Sequence, residues 1–313
     1  ALPSPSRYHA LPVVIGHASP FRHPSVPMAS QPVKPAHSNP LLAAARLLAL
    51  VGLTFFLYPF YYLHYRLTPR DRRYPISARW VHAWAVMACA VFGIRVRRHG
   101  PPPPPGALLA ANHVSYADIL ALSSAIPCLF TPKSEIKSWP LAGFFVRTTG
   151  HPFVTRARGR DIIKTTRSIE RRLRAGTHVV VFLEGTTTGG DRLLPFKPAL
   201  LGAAESIQAP VVPVALRWSS RHPRVAVQRD IAYWGRHVIG PHVWRLVGLR
   251  GTQVDITFHE PMRLDAGERR RLLADRLRRR LAATLDLPLA LPETNPPQPA
   301  SEGKETDERA GET

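Results

Sequence analysis

The sequence predicts an α/β fold, a mixed sheet flanked by helices, preceded by an N-terminal membrane-associated helical segment. Three observations predict it. From residue 107 onward, short apolar runs alternate with helix-length segments, the pattern of a sheet covered by helices. Ahead of them, residues 47–63 form an uncharged apolar run near the lower length limit for crossing a bilayer's hydrocarbon core. Finally, 313 residues of which 45% are hydrophobic can bury a full core.

Taken in order, residues 1–40 are rich in Pro, Ser and His without apolar periodicity and read as a disordered extension. The chain opens on Ala1, and Met28, just ahead of the first apolar segment, is the expected translation start. A native peptide running into Met28 from upstream would refute that. Residues 41–98 are expected to hold the membrane-associated helices. The run 47–63 carries Tyr58, Tyr61 and Tyr62 at one end, followed by Arg66, Arg70, Arg72 and Arg73. Aromatics and then arginines suit an interfacial belt with a cytoplasmic positive flank, and no small-residue cleavage site follows as a signal peptide requires. A buried core helix is the competing reading. The second stretch, 80–94, contains Trp80, His82 and Trp84 and precedes Arg95, Arg97 and Arg98; it reads as an amphipathic helix lying against membrane or domain.

Residues 99–287 are expected to form the α/β domain. Its strands are placed at 107–111, 128–132, 152–155, 179–183, 211–216 and 254–258, and its helices at 116–125, 140–149, 159–175, 198–207 and 266–285. The segment 220–251, rich in Arg, His and Trp, breaks the alternation and reads as an insertion at the domain edge or membrane face. Pro213 inside a strand-like Val-Pro-Val run demands an edge or a bulge. The helix bearing Arg269, Arg270, Arg271, Arg276, Arg278, Arg279 and Arg280 is expected to turn these to solvent and Leu272, Leu273, Leu277 and Leu281 inward. Residues 288–313 hold six acids and two bases and read as a disordered acidic tail.

The 42 Lys+Arg against 21 Asp+Glu give a formal charge of +21, and since the tail contributes −4, the rest carries +25. Such a surface favours anionic partners without choosing among lipid, nucleic acid and phosphorylated substrates. Two cysteines, Cys89 and Cys128, leave no disulfide framework and suit a reducing compartment. No His-x-x-x-His or Cys-x-x-Cys pairing stands at metal-ligand spacing, so no metal is expected.

Chemistry concentrates in Asn112-His113-Val114-Ser115-Tyr116-Ala117-Asp118, which sets an imidazole at a strand-to-helix turn and a carboxylate one helical turn on. Histidine titrates near neutrality and can remove a hydroxyl proton, as acyl transfer to an alcohol requires, while an Asp on its other nitrogen fixes the tautomer. Ser115 could serve as a nucleophile instead, although the His–Asp pair suffices for direct attack. A surface turn capped by Asp118 is the plain alternative. Three further motifs follow at strand ends. Gly150 to Arg156 places a guanidinium suited to phosphate after a short strand. Glu184-Gly185-Thr186-Thr187 ends an apolar strand, where Gly185 permits a tight turn with amides free to face an anion. Pro195-Phe196-Lys197-Pro198 opens a helix beside a cation. Lys133 and Glu135 either border the site or form an exposed charge pair.

This ordered set resembles the glycerophosphate and lysophosphatidic-acid acyltransferase superfamily, the lysophospholipid acyltransferases, over roughly residues 73–261. The resemblance implies that His113 is the general base and Asp118 its orienter. Arg156, Glu184, Gly185, Thr186 and Lys197 would contact the acceptor. It further implies a fatty acyl group moved from acyl carrier protein or coenzyme A to a lysophospholipid hydroxyl, most directly that of 1-acylglycerol-3-phosphate. No cofactor is expected, and the setting is membrane lipid at the cytoplasmic face of the inner membrane. One departure matters. The usual member has Arg after Glu-Gly-Thr, whereas Thr187 stands here, as in members acting on larger head groups or on lyso-ornithine lipid; Lys197 or Arg192 could compensate. The rival reading is a non-catalytic basic protein binding membrane or nucleic acid. Such a protein has no need of the His–Asp pair, so no nucleic-acid partner is expected.

Overall fold

A computed structural model describes residues 38–140, 142–154, 159–264 and 268–290, with backbone alone at 159 and 160. The readings of residues 1–37, of 291–313, and of Thr155 and Arg156 lie outside the described residues.

Two helices come first, α1 (Pro40–Leu67) and α2 (Arg73–Phe92). α1 starts where it does because the Asn39 side chain accepts from Leu42 N and Pro40 occupies a first-turn position that needs no donor. The elements then run β1 (Arg95–His99), β2 (Leu108–Ala111), α3 (Ala117–Ala125), β3 (Cys128–Phe130), α4 (Ala142–Thr148), α5 (Gly159–Arg174) and β4 (His178–Phe182). After these come α6 (Gly202–Glu205), β5 (Val211–Ser220), α7 (Ile239–Val247), β6 (Thr252–Phe258) and α8 (Arg270–Leu285).

One six-stranded sheet has the order β1-β6-β5-β2-β4-β3, parallel throughout except between β5 and β6. Its central strands are apolar on both faces because helices cover both. Leu109, Val180, Val212, Val214 and Leu216 meet α2, α3 and α7 on one side; Leu108, Val179, Val181 and Val211 meet α5, α6 and α8 on the other. The mixed sheet flanked by helices is thus as expected.

Several boundaries differ from expectation for physical reasons. Residues 95–99, read as a positive flank, form β1 against β6, because an edge strand exposed on one side tolerates Arg95, Arg97 and Arg98. The sheet therefore begins before residue 99. Of the strand expected at 152–155, the described part makes a single bridge, Val154 to Lys133. Residues 198–207 split into a 3₁₀ turn and the one-turn α6. β5 reaches Ser220, four residues past the expected end. It is an interior strand, so its proline sits at the bulge and not at an edge: Val214 pairs with Phe258 but Val211 with Met262, a one-residue register shift that brackets Pro213. The expected tail starts too early, since Leu193 N donates to Pro288 O and Ala290 N to Leu193 O.

Helix α8 also departs from its pattern. Leu273, Leu277 and Leu281 are buried, whereas Leu272 is exposed. Arg278 is drawn inward, where it donates to the carbonyls of Leu193 and Ala290, and Arg276 pairs with Glu268 at 3.0 Å. Arg269, Arg271, Arg279 and Arg280 stay exposed. The insertion 220–251 contains a π-helical turn, Val227–Ile231, and α7, and it covers the α3 side of the sheet.

α1 is held to this body near both ends. At its start Ser38 Oγ donates to Arg245 O, Asn39 N to Gly248 O, and Arg46 Nη1 to Val247 O and Leu249 O. Toward its end Tyr61 OH donates to Thr148 O, and Trp80 Nε1 donates to His64 Nδ1. Trp84 Nε1 donates to Thr54 Oγ1 midway along, so both tryptophans of α2 face α1. Its outer face keeps Leu41, Leu48, Phe56, Phe60, Leu63 and Leu67 more than half exposed.

Candidate active site

The turn after β2 carries the site. β2 ends on the buried sequence Leu-Leu-Ala-Ala, and the chain then bends into α3. His113 Nδ1 lies 2.8 Å from Asp118 Oδ2, which also accepts from the amides of Val114 at 2.7 Å and Ser115 at 2.9 Å. Asp118 Oδ1 accepts from Trp218 Nε1 at 2.6 Å. A fully buried carboxylate with four partners is fixed in place. With a carboxylate accepting at Nδ1, that nitrogen is the donor and Nε2 is the nitrogen left outside the pair. The ring lies flat on Phe182, with centroids 3.8 Å apart and planes at 9°.

Behind the histidine stands Glu184, 2% exposed. Its Oε1 accepts from His113 N at 2.9 Å and its Oε2 from Leu194 N at 3.0 Å. Burial pushes its carboxyl up to about 7, against the lowering effect of those two amides. Both oxygens therefore face protein backbone and clamp the His113 turn to the 188–198 loop. Gly185 has φ +76°, a conformation that glycine adopts without a Cβ penalty, and its amide donates to Phe182 O. The expectation of a free anion-facing amide fails at that residue, because the tight turn itself uses the donor. Thr188 N donates to His113 O, so the loop is tied to the turn a second time.

Thr186, Lys197, Arg192, Lys133 and Glu135 are exposed. Ser115 is fully buried, and its hydroxyl accepts from Ala117 N at the start of α3, a geometry that closes it to substrate as a nucleophile. The Gly150–Val154 approach to Arg156 is braced from beneath. Arg172, 6% exposed, donates to Gly150 O and lies over the Tyr74 ring at 4.5 Å, and His151 Nδ1 accepts from Phe130 N at 2.8 Å. Burial pushes the His151 ring down to about 4, so it is neutral.

Thr187, standing where an arginine was expected, donates its hydroxyl to Tyr233 O, and Tyr233 N donates to Val114 O at 2.9 Å. The insertion is thereby buckled onto the His113 turn. An apolar cavity of about 460 Å³ opens between α1, α2, α3 and α4, lined by residues including Tyr58, Trp84, Tyr116, Phe145 and His151. From His113 a row of stacked rings, Phe182 and Phe130, leads to His151 at its wall.

Sequence reasoning missed Trp218 and Arg172, and it named Asn112 without its hydrogen bonds to Leu216. Val212, Val214, Leu216 and Trp218 share one face at a period of two, a signal that would have extended β5 as far as the tryptophan.

An imidazole–carboxylate pair at a sheet's carboxyl edge, beside an apolar cavity, is an arrangement able to take a proton from a group on an amphiphile. Comparison with known proteins makes this specific. Residues 93–217 match the family model described as Acyltransferase. Lyso-ornithine lipid O-acyltransferases from Rhizobium meliloti and Brucella abortus are 37% and 33% identical. These alignments cover 66% and 76% of this chain, and 76% and 91% of theirs. The 1-acyl-sn-glycerol-3-phosphate acyltransferase of Neisseria meningitidis serogroup B is 36% identical over 55% of this chain and 67% of its own. The crystal structure of the 1-acyl-sn-glycerophosphate acyltransferase PlsC from Thermotoga maritima shares the fold, with TM-score 0.58, 20% identity, and coverage of 79% and 94%. This chain belongs to the glycerophosphate and lysophospholipid acyltransferase superfamily and is an acyltransferase.

Proposed function

We propose that the enzyme moves a fatty acyl group from an acyl-carrier-protein or coenzyme A thioester to the hydroxyl of a lysolipid, with His113 as general base. The observation that carries this is the His113–Asp118 pair, whose carboxylate is fixed by three further donors and whose Nε2 is left for substrate. His113 Nε2 takes the acceptor's hydroxyl proton as the oxygen attacks the thioester carbonyl. Collapse of the tetrahedral intermediate expels the thiolate, which takes that proton back from the imidazolium, giving ester and thiol. Asp118 stabilises the imidazolium between these steps.

Lyso-ornithine lipid is the acceptor favoured over 1-acylglycerol-3-phosphate. Thr187 supplies no charge for a phosphate, and its hydroxyl is occupied by Tyr233 O. The two relatives that act on lyso-ornithine lipid by name align over most of their own length. Arg156, Thr186 and Lys197 are proposed to meet the head group, with Glu184 and Gly185 shaping the turn behind.

Among the described residues one helix, α1, is long and apolar enough to cross a membrane. Its 28 residues span about 42 Å, yet the α/β body holds it near both ends, which supports a seat in the plane of the cytoplasmic leaflet. The aromatic exposed face would lie among the acyl chains.

The test is transfer from labelled acyl carrier protein or acyl-coenzyme A to a panel containing both acceptors, in membranes holding the native enzyme or His113→Ala at matched level. Transfer to lyso-ornithine lipid that the variant lacks is expected. Preference for 1-acylglycerol-3-phosphate would overturn the acceptor, and equal activity in both proteins would overturn the base.

A further inference from the structure

We propose that Trp218 is a positioning residue for acyl transfer, its indole N–H fixing the carboxylate that orients His113. The inference rests on the acyl-transfer reading above and extends it to a residue of β5, 100 positions from Asp118.

Three features of the structure lead there. Asp118 Oδ2 is saturated by His113 and by two amides of the turn that leads into α3, so local geometry alone already holds that oxygen. Oδ1 has Trp218 Nε1 as its partner, at 2.6 Å and with Asp118 fully buried. Without that donor the carboxylate could pivot about its Cβ–Cγ bond, and Oδ1 would lack a partner that water cannot replace.

The strand geometry is adapted to deliver the indole. Backbone pairing between β2 and β5 stops at Ala111 and Val214. The Asn112 side chain then continues it: Leu216 N donates to Oδ1 at 2.8 Å and Nδ2 donates to Leu216 O at 3.1 Å. The amide thus stands in for one more backbone unit, and it carries β5 in register for two further residues to Trp218. On its other edge, β5 is held by β6 through the pairs Leu216 with Ile256 and Trp218 with Val254. Trp218, 5% exposed, therefore reaches Asp118 from a strand fixed on both sides. Asn112, adjoining His113 in sequence, acts through Trp218.

Removing the N–H concentrates negative charge on Oδ2, which favours the imidazolium and raises the pH at which His113 becomes a base. Other titratable groups described near this turn are Glu184, bonded to His113 N, Tyr116, whose hydroxyl is bonded to His242, Tyr233, whose amide donates to Val114 O, and Asp191, which lines a pocket with Asn112, Val114 and Trp218. All four are kept in the variants below.

The experiment compares full-length native enzyme, His113→Ala, Trp218→Phe, and a protein with 3-benzothienylalanine at position 218, which keeps the ring shape and replaces N–H by sulfur. Steady-state kinetics are measured in detergent–lipid micelles as a function of pH. For both position-218 variants kcat is expected to fall about ten- to a hundredfold, the cost of a base held out of its aligned geometry once the carboxylate can pivot. KM should stay within about twofold, since Trp218 acts through Asp118 and the alignment of His113 is what is lost. The acid limb of kcat/KM should move to higher pH. A benzothienyl variant with native kcat and pH profile, beside an inactive His113→Ala, would overturn the proposal and leave Trp218 a packing residue. Activity in His113→Ala would instead overturn the general-base reading beneath it.

Discussion

Asp118 shows how much one side chain concentrates: one carboxylate ties down the turn that leads into α3, meets the imidazole and receives the indole of β5. In Asp118→Asn the amide nitrogen must face at least one of these donors, and Nδ1 of His113 is left to accept in place of donating. Turnover is expected to drop by about 10³- to 10⁴-fold, as in triads whose aspartate is amidated, with lysolipid binding retained; single-turnover kinetics checks this. Glu184 offers a second prediction. Its folded carboxyl titrates near 7 against an ordinary 4.5, so the folded chain holds the proton longer than the unfolded one. The associated stability is complete below about pH 4.5 and is lost as pH rises to about 7, on the order of 3 kcal/mol. Denaturation across that window should show the fall in the native enzyme and lack it in Glu184→Gln. That variant also sets an amide nitrogen against a backbone N–H and should be less stable by about 1–3 kcal/mol at pH 7. The spacing of His113 and Asp118 made them legible in the sequence. The role of Glu184 was not, because its partners His113 N and Leu194 N lie 71 and 10 residues away.

At the scale of elements, α1 and β5 carry the least expected structure. Apolarity and aromatic content announced α1, but polar contacts from Ser38 and Arg46 near its start and Tyr61 near its end decide that it lies along the body. Phe56→Glu with Phe60→Glu places two carboxylates on the exposed face without touching those contacts. The pair is expected to release the enzyme from vesicles in a flotation assay while leaving its thermal unfolding in detergent nearly unchanged. For β5, the sequence signal faded after Leu216 because Arg217, Ser219 and Ser220 read as loop, while β6 and the Asn112 amide supply the hydrogen bonds that keep the strand extended. Asn112→Ala leaves the Leu216 N–H and C=O without those partners and should destabilise the fold by about 1–3 kcal/mol in a urea titration, with kcat falling in parallel with Trp218→Phe.

Across the whole molecule, charge and apolar surface work toward the same end. The formal charge of +21 includes an acidic terminal segment, so the remainder is more basic still. Binding to vesicles containing anionic lipid should exceed binding to zwitterionic vesicles, and the difference should shrink between about 0.1 M and 1 M salt as the screening length falls from roughly 10 to 3 Å. The part that survives high salt measures the exposed leucines and phenylalanines of α1.

Local patterns determined much of this by themselves: the apolar first helix, the alternation of strand and helix, and a histidine and an aspartate five positions apart. Periodicity and spacing act within a few residues, and sequence displays them directly. The tertiary structure alone decided which groups meet across the sheet. Trp218 on Asp118, Asn112 on Leu216, Thr187 on Tyr233 and Arg172 on Gly150 join residues 22 to 104 positions apart. Their hydrogen bonds depend on strand order and register, which are set by burying both faces of one sheet and leave no local mark on the chain.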